Sequence, residues 1–300
     1  MKLFIKKIFS KLRTNFNLIQ RSYSDMKIPL PDLNFRKNQP KELILNGAEN
    51  TYVAKLLAEN GIAKYEPHTM ATALFLLQEQ LSNRNFFDIG ANIGVYSFFL
   101  ESVLESEGLA IHAFEPSPNL ASIARQIAKN NSLSYQVEQL ALGSSCGRAV
   151  LYLSQKTDSS NSLLKGFRKS TKSIDVAVET VDSYCKKIGF VPSLIKIDTE
   201  ATEPDVILGS SEIIKKNRPW IICEVLAGRT ESSLMEVMKV YDYYYYQIDN
   251  SMSWIPQTEI LGDTSYQYRD WLFAPEPINQ DFVNGVKKIV DKMNKKRIGL

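Results

Sequence analysis

The residues best suited to bind a nucleoside stand in one short motif, Asp88-Ile-Gly90-Ala-Asn92-Ile-Gly94, at the end of an apolar run. Glycine permits turn dihedrals and a close approach of the backbone, and asparagine tolerates a positive φ better than most residues. Glu115 follows Gly94 by 21 positions, the spacing at which an acidic side chain accepts hydrogen bonds from ribose hydroxyls in many α/β proteins. The motif therefore favours a ligand that contains a nucleoside.

The same motif departs from the G-x-G-x-x-G pattern of dinucleotide-binding proteins. Asn92 stands where the second glycine would admit a pyrophosphate, and Gly94 comes one residue early. Asp88 at the head of the turn would repel a diphosphate but complements a positively charged sulfonium or amino group. S-adenosylmethionine is therefore the better prediction, and a nicotinamide-dependent dehydrogenase remains as an alternative.

Carboxylates also follow two later apolar segments, with Asp198 and Glu200 after Leu194 and Glu224 after Trp220. At one crevice, Asp198 or Glu200 could accept the proton of an acceptor hydroxyl, or both could share a divalent cation with Glu224. The alternative is structural, because acidic residues commonly cap a helix or occupy its first turn. We rank Asp198 first as an essential group and leave its role open between base and metal ligand.

Alternating strand and helix patterns place these motifs in an α/β fold with a largely parallel, doubly wound sheet. In such sheets the ligand crevice lies at the carboxyl edge of the strands. The predicted helices cover residues 71–79, 95–103, 118–130, 203–216 and 231–241. The predicted strands cover residues 85–89, 110–114, 135–140, 149–153, 174–181, 194–198, 220–225, 243–248 and 271–274.

From about Tyr65 to about Pro275, the chain resembles the FkbM family of S-adenosylmethionine-dependent O-methyltransferases. Each shared motif is weak alone, but together they occur in the family's order. They are Tyr65-Glu66-Pro67, DIGANIGVYS from Asp88 to Ser97, Phe114-Glu115-Pro116, Ala141-Leu142-Gly143, LIKIDTE from Leu194 to Glu200, Leu208-Gly209, the segment from Pro219 to Glu224, and the segment from Leu272 to Pro275.

The resemblance implies a class I methyltransferase fold, a Rossmann-like seven-stranded sheet that is mostly parallel with an antiparallel last strand. It also implies methyl transfer to a hydroxyl, with Asp198 and Glu200 as candidate catalytic residues and metal ligands left unassigned. The candidate cofactor-binding residues that it implies are Asp88, Gly90, Ala91, Asn92, Gly94, Glu115, Pro116 and Leu142. One departure concerns the turn after Glu200, where the family usually has glycine and this chain has Ala201.

Charge and composition exclude several classes of protein. The 300 residues are 44% hydrophobic and 23% charged, which is typical of a globular chain. Residues 1–40 hold nine Lys or Arg against two Asp, a net charge of +7, and residues 281–300 hold six Lys or Arg against two Asp, a net charge of +4. Because the whole chain has a net charge of +3, the remaining 240 residues carry a net charge of −8. An acidic body disfavours a general nucleic-acid partner. Cys146, Cys185 and Cys223 show no disulfide or zinc spacing, which favours a reducing cytoplasm.

The basic ends lead to a division of the chain into three parts. Residues 1–21 show a basic amphipathic helical pattern, which suits either an anionic membrane surface or packing against protein. Residues 22–40 contain Pro29, Pro31 and Pro40 and are predicted to be a linker. We expect residues 1–40 as this helix and linker, 41–280 as the methyltransferase domain, and 281–300 as a basic C-terminal tail or helix.

The predicted function is S-adenosylmethionine-dependent O-methylation of a sugar, glycolipid or polysaccharide intermediate. The expected location is cytoplasmic, with peripheral contact to the inner face of a membrane left open. One alternative acceptor is a small hydroxylated metabolite. A non-catalytic subunit that retains the S-adenosylmethionine fold and positions a partner enzyme is the alternative from another class, and the missing glycine at Ala201 is the feature that favours it.

Overall fold

The computed structural model describes residues 25–295, which form a three-layer α/β/α body. The strands are, in chain order, β1 (Lys27–Pro29), β2 (Glu42–Ile44), β3 (Arg84–Ile89), β4 (Leu109–Phe114), β5 (Gln136–Glu138), β6 (Ala141–Leu142), β7 (Gly147–Ser154), β8 (Ser170–Glu179), β9 (Leu194–Ile197), β10 (Trp220–Glu224), β11 (Tyr244–Gln247) and β12 (Asp270–Ala274). The helices are α1 (Tyr52–Asn60), α2 (Pro67–Phe75), α3 (Val95–Val103), α4 (Pro118–Asn130), α5 (Val181–Ile188), α6 (Glu203–Leu208), α7 (Ser211–Asn217), α8 (Glu231–Met238) and α9 (Gln280–Asn294).

The central sheet has seven strands in the order β11-β12-β10-β9-β3-β4-β5. Strands β4, β3, β9 and β10 are mutually parallel, whereas β12 runs antiparallel to both β10 and β11. This confirms the predicted class I methyltransferase architecture, including its antiparallel last strand. The order in which successive strands are added to the sheet reverses between β3 and β9, so the carboxyl ends of these parallel neighbours border one crevice.

Two apolar cores lie on opposite faces of this sheet. One face packs against α2, α3, α4 and α9, and the other packs against α5, α6, α7 and α8. Because both faces are covered, the inner strands are apolar along most of their length rather than alternating. All four residues of β9 are buried, and one of them is Lys196. A lysine in such a strand requires a specific partner.

Several boundaries differ from the sequence-based prediction for identifiable reasons. The predicted helix 203–216 divides into α6 and α7 at Gly209, where an added Cβ would lie 2.0 Å from the carbonyl oxygen of Gly143. The chain passes too close to Gly143 there for a side chain. Strands β7 and β8, expected only as extended segments, form a separate sheet in the order β6-β8-β7.

The linker interpretation of residues 22–40 is wrong for the part that the structure describes. Strand β1 pairs antiparallel with β2, and Ile28, Leu30 and Leu33 are buried in the first core. Prolines are typical of linkers, but the apolar side chains next to them in the sequence pack into the first core. Residues 1–24, which include the predicted basic helix, and residues 296–300 lie outside the described residues.

The described end of the basic C-terminal segment is helical. Helix α9 begins after Asn279, whose side chain accepts a hydrogen bond from the amide of Phe282. Its apolar face, which includes Val286 and Ile289, is buried in the first core. The division of the chain into three domains nevertheless stays a prediction. No helix within residues 25–295 is long and apolar enough to span a membrane.

Candidate active site

A cavity of about 300 Å³ lies at the carboxyl edge of the central sheet. It is bordered by the turn after β3, by Glu115 at the end of β4, and by residues 198–200 at the end of β9. The loop between β7 and β8 covers it from outside, with Asp158 accepting a hydrogen bond from the amide of Tyr52. The volume is at the lower end of the range for small-molecule sites.

The glycine turn is held by the chain itself. The amides of Gly90 and Ala91 both donate to the carbonyl oxygen of Phe114, each at 3.0 Å. Gly90 has φ +80°, and a Cβ added there would lie 1.7 Å from the carbonyl oxygen of Asp198. The missing side chain therefore makes room for the end of β9.

Asn92 and Gly94 complete the turn in left-handed conformations, with φ +54° and +83°. Gly94 directly precedes α3, and a Cβ added there would lie 3.2 Å from the hydroxyl of Tyr135. Gly94 does not border the cavity, whereas Asn92 does. Gly94 therefore has a structural role, because its missing side chain lets the start of α3 pack close to Tyr135.

Glu115 is placed to accept hydrogen bonds from a ligand. It is 6% exposed, and its two carboxylate oxygens accept from the amides of Asn92, at 2.9 Å, and Ser117, at 2.8 Å. Burial raises the pKa of Glu115 to about 8, although these two amides lower it in part. Each carboxylate oxygen has a further lone pair, so ribose hydroxyls could donate to this side chain.

Asp88 and Lys196 lie opposite each other on neighbouring strands, in register between β3 and β9. Paired residues of a sheet point to the same face, and both side chains are buried, at 2% and 3% exposure. Asp88 accepts from the amide and the hydroxyl of Ser97, at 3.2 and 2.7 Å. Burial raises the pKa of Asp88, and nearby Lys196 opposes this shift.

Lys196 is the cation around which the carboxylates gather. Its Nζ donates to Asp198 at 3.0 Å and lies 4.7 Å from the centre of the Tyr96 ring. Burial would raise the pKa of Asp198, but Lys196 and Arg269 outweigh burial and hold it below its ordinary value. Asp198 therefore stays ionised at neutral pH, and a carboxylate with a depressed pKa is a weak proton acceptor.

Glu200 differs from Asp198 in its electrostatics. Burial and the neighbouring charge of Asp198 raise the pKa of Glu200 to about 8. Its carbonyl oxygen accepts from the hydroxyl of Ser162 at 2.6 Å, which ties the covering loop to this turn. Asp198 and Glu200 both border the cavity. Of the two, Glu200 has the pKa better suited to accept a proton near neutrality.

The turn after Glu200 keeps a glycine-like conformation without glycine. Glu200 has φ +56° and Ala201 has φ +83°. Glu203, which is fully buried, holds the turn, because its Oε1 accepts from the amides of Thr199 and Ala201 at 2.9 and 3.1 Å. The missing glycine has therefore not abolished the turn. It leaves an alanine in a left-handed conformation, which is unfavourable for a residue with a Cβ.

The shared divalent cation considered for Asp198, Glu200 and Glu224 has no support in this geometry. Asp198 pairs with Lys196, and Glu224 pairs with Arg269. Within residues 25–295, no group of three or more His, Cys, Asp or Glu side chains is arranged to hold a metal ion. Asp198 and Glu224 are instead paired with buried Lys196 and half-buried Arg269.

The cavity brings together most of the residues singled out from the sequence. Seven of the eight candidate cofactor-binding residues border it, with Gly94 as the exception, and so do Asp198 and Glu200. Their individual roles stay predictions. Among the bordering residues that were not assigned a role from the sequence are Glu66, Lys196 and Arg269. Lys196 carried a usable signal, since a lysine inside an apolar strand is rarely buried without a function or a partner.

Glu66 enters the site from the segment ahead of β3. It has φ +42° and accepts a hydrogen bond from the hydroxyl of Tyr96 at 2.7 Å. Burial, followed by the charge of Asp270, raises the pKa of Glu66 to about 7. Six carboxyl side chains border the cavity against four Lys or Arg. The excess of carboxyl groups suits a positively charged ligand, because such a ligand would favour the ionised forms of Glu66 and Glu115, whose pKa values are raised.

Comparison with known families decides the affiliation of this chain. Residues 88–251, more than half of the sequence, match the family described as Methyltransferase FkbM domain. The chain belongs to the FkbM methyltransferase family. The match begins at Asp88 and includes the glycine turn, Glu115, and the Asp198 and Glu200 segment. The elements that border the cavity at the end of β3, β4 and β9 are thus the ones that the family shares.

Individual relatives are more distant. Over 61 residues the chain is 38% identical to 31-O-demethyl-FK506 methyltransferase FkbM of Streptomyces tacrolimicus, a stretch that covers 20% of this chain and 23% of that protein. The chain thus spans about a quarter of this curated relative. A solved structure of methyltransferase FkbM from Methylobacillus flagellatus KT is 16% identical with a TM-score of 0.41, covering 67% of this chain and 47% of that one. The O-methyltransferase from Bacillus cereus in complex with SAH is 13% identical with a TM-score of 0.40, and the match covers 74% of this chain and 96% of that one.

Proposed function

We propose that this protein is an S-adenosylmethionine-dependent O-methyltransferase that acts on a hydroxyl of a sugar, glycolipid or polysaccharide intermediate. The observation that carries the proposal is the single cavity at which the glycine turn, Glu115 and the carboxylates of Asp198 and Glu200 meet, in a chain of the FkbM methyltransferase family. The dehydrogenase alternative has no support from this family.

The residues present suit the cofactor. Glu115 offers lone pairs to ribose hydroxyls, and the carboxylate-rich wall suits a sulfonium and an amino group. When bound, S-adenosylmethionine supplies an activated methyl group on a positively charged sulfur. In our proposal, Glu115, Asp88 and the turn from Gly90 to Asn92 bind and orient it.

The chain must also remove a proton from the acceptor. As the carbon–oxygen bond forms and the carbon–sulfur bond of the methyl donor breaks, the acceptor hydroxyl would release its proton to a carboxylate held within hydrogen-bond reach. We assign this role to Glu200, whose pKa of about 8 makes its ionised form a competent base. Asp198, ionised and paired with Lys196, would hold the ammonium of Lys196 in place at the wall of the cavity.

The choice of a glycan acceptor depends on the distribution of charge. The body of the chain is acidic and residues 1–40 are basic, which would suit work beside an anionic membrane where lipid-linked sugars are assembled. Peripheral contact through residues 1–21 is part of this proposal. Deleting residues 1–21 should reduce binding to anionic vesicles, and unchanged binding would contradict this part.

The cofactor can be tested without knowing the acceptor. Calorimetric titration with S-adenosylmethionine and S-adenosylhomocysteine at fixed salt should give micromolar binding. Asp88→Ala and Glu115→Ala should each weaken it at least tenfold, or about 1.4 kcal/mol, whereas Glu59→Ala, an exposed acidic residue of α1, should leave it unchanged. A folded wild-type protein that binds neither compound would refute the proposal.

Turnover separates an enzyme from a non-catalytic subunit. Transfer of a labelled methyl group from S-adenosylmethionine to a glycan fraction should occur with wild type. It should be lost with Glu200→Gln while binding of S-adenosylhomocysteine persists. Binding without methyl transfer by the wild type to any sugar or small-molecule hydroxyl would favour the non-catalytic alternative. The turn at Ala201, which keeps its conformation, gives no specific reason to prefer that alternative.

A further inference from the structure

A second cavity of about 250 Å³ adjoins the first at the carboxyl end of β11 and the start of β12. Glu66 and Arg269 border both cavities, so the two spaces share a wall at the carboxylate cluster. The position suits a substrate that must approach the cofactor from outside.

The outer wall of the second cavity is a preorganised loop. Asp263 accepts hydrogen bonds from the amides of Ser265, Gln267 and Tyr268, at 2.8, 2.9 and 2.8 Å. Four donors reach this carboxylate when the Ser265 hydroxyl is included, and these bonds lower the pKa of Asp263 to about 2. These bonds favour the loop conformation in which Gln267 and Tyr268 border the cavity. Such a wall can present Gln267 and Tyr268 without a large loss of entropy.

The side chains on this wall combine free amides with apolar surface. The amide groups of Asn250 and Gln267 make no side-chain hydrogen bond within residues 25–295, although both residues border the cavity. The Tyr268 ring and buried Ile248 supply apolar surface beside them. A sugar ring has hydroxyls at its edge and C–H groups on its face, so it needs this combination of hydrogen-bonding groups and a flat apolar patch.

The electrostatics of this wall do not favour an anionic acceptor. Arg269 is paired with buried Glu224. Burial lowers the pKa of His68, so its ring is neutral near pH 7. Glu66 and Asp270 contribute carboxyl groups, and the hydroxyl of Thr69 donates to Asp270 at 2.7 Å. A phosphate or carboxylate would meet acidic groups here and one already paired guanidinium.

We propose that the second cavity is the acceptor subsite and that it binds a neutral sugar ring of a glycan. Asn250 and Gln267 form hydrogen bonds with ring hydroxyls, and Tyr268 packs against a C–H face of the ring. Glu66 and Arg269 stand between this ring and the methyl-transfer cavity. The assignment rests on the proposed function, because it names where the acceptor of that reaction binds.

Saturation-transfer NMR tests the subsite on protein saturated with S-adenosylhomocysteine. The neutral sugar probes are methyl α-D-glucopyranoside and methyl α-D-mannopyranoside, and the comparison probes are glucose 1-phosphate and the phenol guaiacol. The test variant is Asn250→Ala with Gln267→Ala. The matched control is Asn130→Ala with Gln136→Ala, two exposed amides that border neither cavity.

We expect signals from at least one glycoside, a loss of affinity of at least tenfold in the test variant, and wild-type affinity in the control. S-adenosylhomocysteine affinity should stay within twofold in both variants. A glycoside that binds the test variant as well as wild type overturns the subsite. So does stronger binding of guaiacol or glucose 1-phosphate, or no glycoside signal at all. If S-adenosylhomocysteine itself does not bind wild type, the proposed function fails instead.

Discussion

Gly90 provides the sharpest test of how the glycine turn works. Its φ of +80° is unfavourable for alanine, and the added Cβ would lie 1.7 Å from the carbonyl oxygen of Asp198. The left-handed conformation costs about 1–2 kcal/mol, and forcing extra atoms into a packed site adds about 1–3 kcal/mol. Gly90→Ala should therefore lower the free energy of unfolding by about 2–5 kcal/mol. That loss leaves a folded fraction in a domain of ordinary stability.

A second glycine separates the two contributions. Gly189 has φ +66° as the residue after α5, and an added Cβ there meets nothing within 4 Å. Gly189→Ala should therefore cost only the backbone part, about 1–2 kcal/mol. Urea denaturation of both variants, without ligand, measures the difference.

The same substitution should affect the ligand site, because the end of β9 or the glycine turn must move to relieve the contact. Calorimetry should show weaker S-adenosylhomocysteine binding by Gly90→Ala, and unchanged binding by Gly189→Ala. Equal losses of stability in the two variants would refute the argument, since the contact with Asp198 would then contribute nothing. The glycine would in that case serve the backbone conformation alone.

Three further predictions concern the carboxyl edge. Ala201→Gly should raise the free energy of unfolding by about 1 kcal/mol, because φ is +83° there. In the same urea denaturation, Ala58→Gly inside α1 should lower the free energy of unfolding by a similar amount. A loss of stability in Ala201→Gly would contradict the strained turn. Lys196→Met should lower the free energy of unfolding by up to about 3 kcal/mol, because it leaves Asp198, whose side chain is 25% exposed, without its ammonium partner. Adding Asp198→Asn should recover part of this loss in a double-mutant cycle, and additive losses would argue against coupling. Burial raises the pKa of Glu203 to about 7, so the contribution of Glu203 to stability is present below its ordinary pKa and is lost as pH rises through about 7. Between pH 5 and 8, the free energy of unfolding should therefore fall less steeply for Glu203→Gln than for wild type. Parallel curves for the two proteins would refute this.

The sequence alone determined the α/β class and the position of the ligand edge. Strand ends are marked by polar residues that interrupt apolar runs, so Asp88, Glu115 and Asp198 could be assigned to one edge before the structure was known. Local turn chemistry was equally visible, because glycine and asparagine are the residues that adopt positive φ with least cost. These are properties of neighbours along the chain, and a sequence displays them directly.

Local patterns were misleading where distant segments decide the packing. The prolines of residues 25–40 indicated a linker, yet Ile28 and Leu33 are buried in the first core, among residues that are distant in the sequence. The predicted helix 203–216 divides at Gly209 because Gly143 approaches it from another element. In both cases the deciding contact is with residues far away in the sequence.

The tertiary structure alone decided the electrostatics and the second cavity. Lys196 lies beside Asp88 only because β3 and β9 are neighbours. Arg269, 71 positions beyond Asp198, acts with Lys196 to hold the pKa of Asp198 below its ordinary value, whereas burial and Asp198 raise that of Glu200. The wall of the second cavity joins Thr69 to Asp270, which are 201 positions apart. A pKa depends on burial and on the charges nearby, and both are set by which strands the fold makes adjacent.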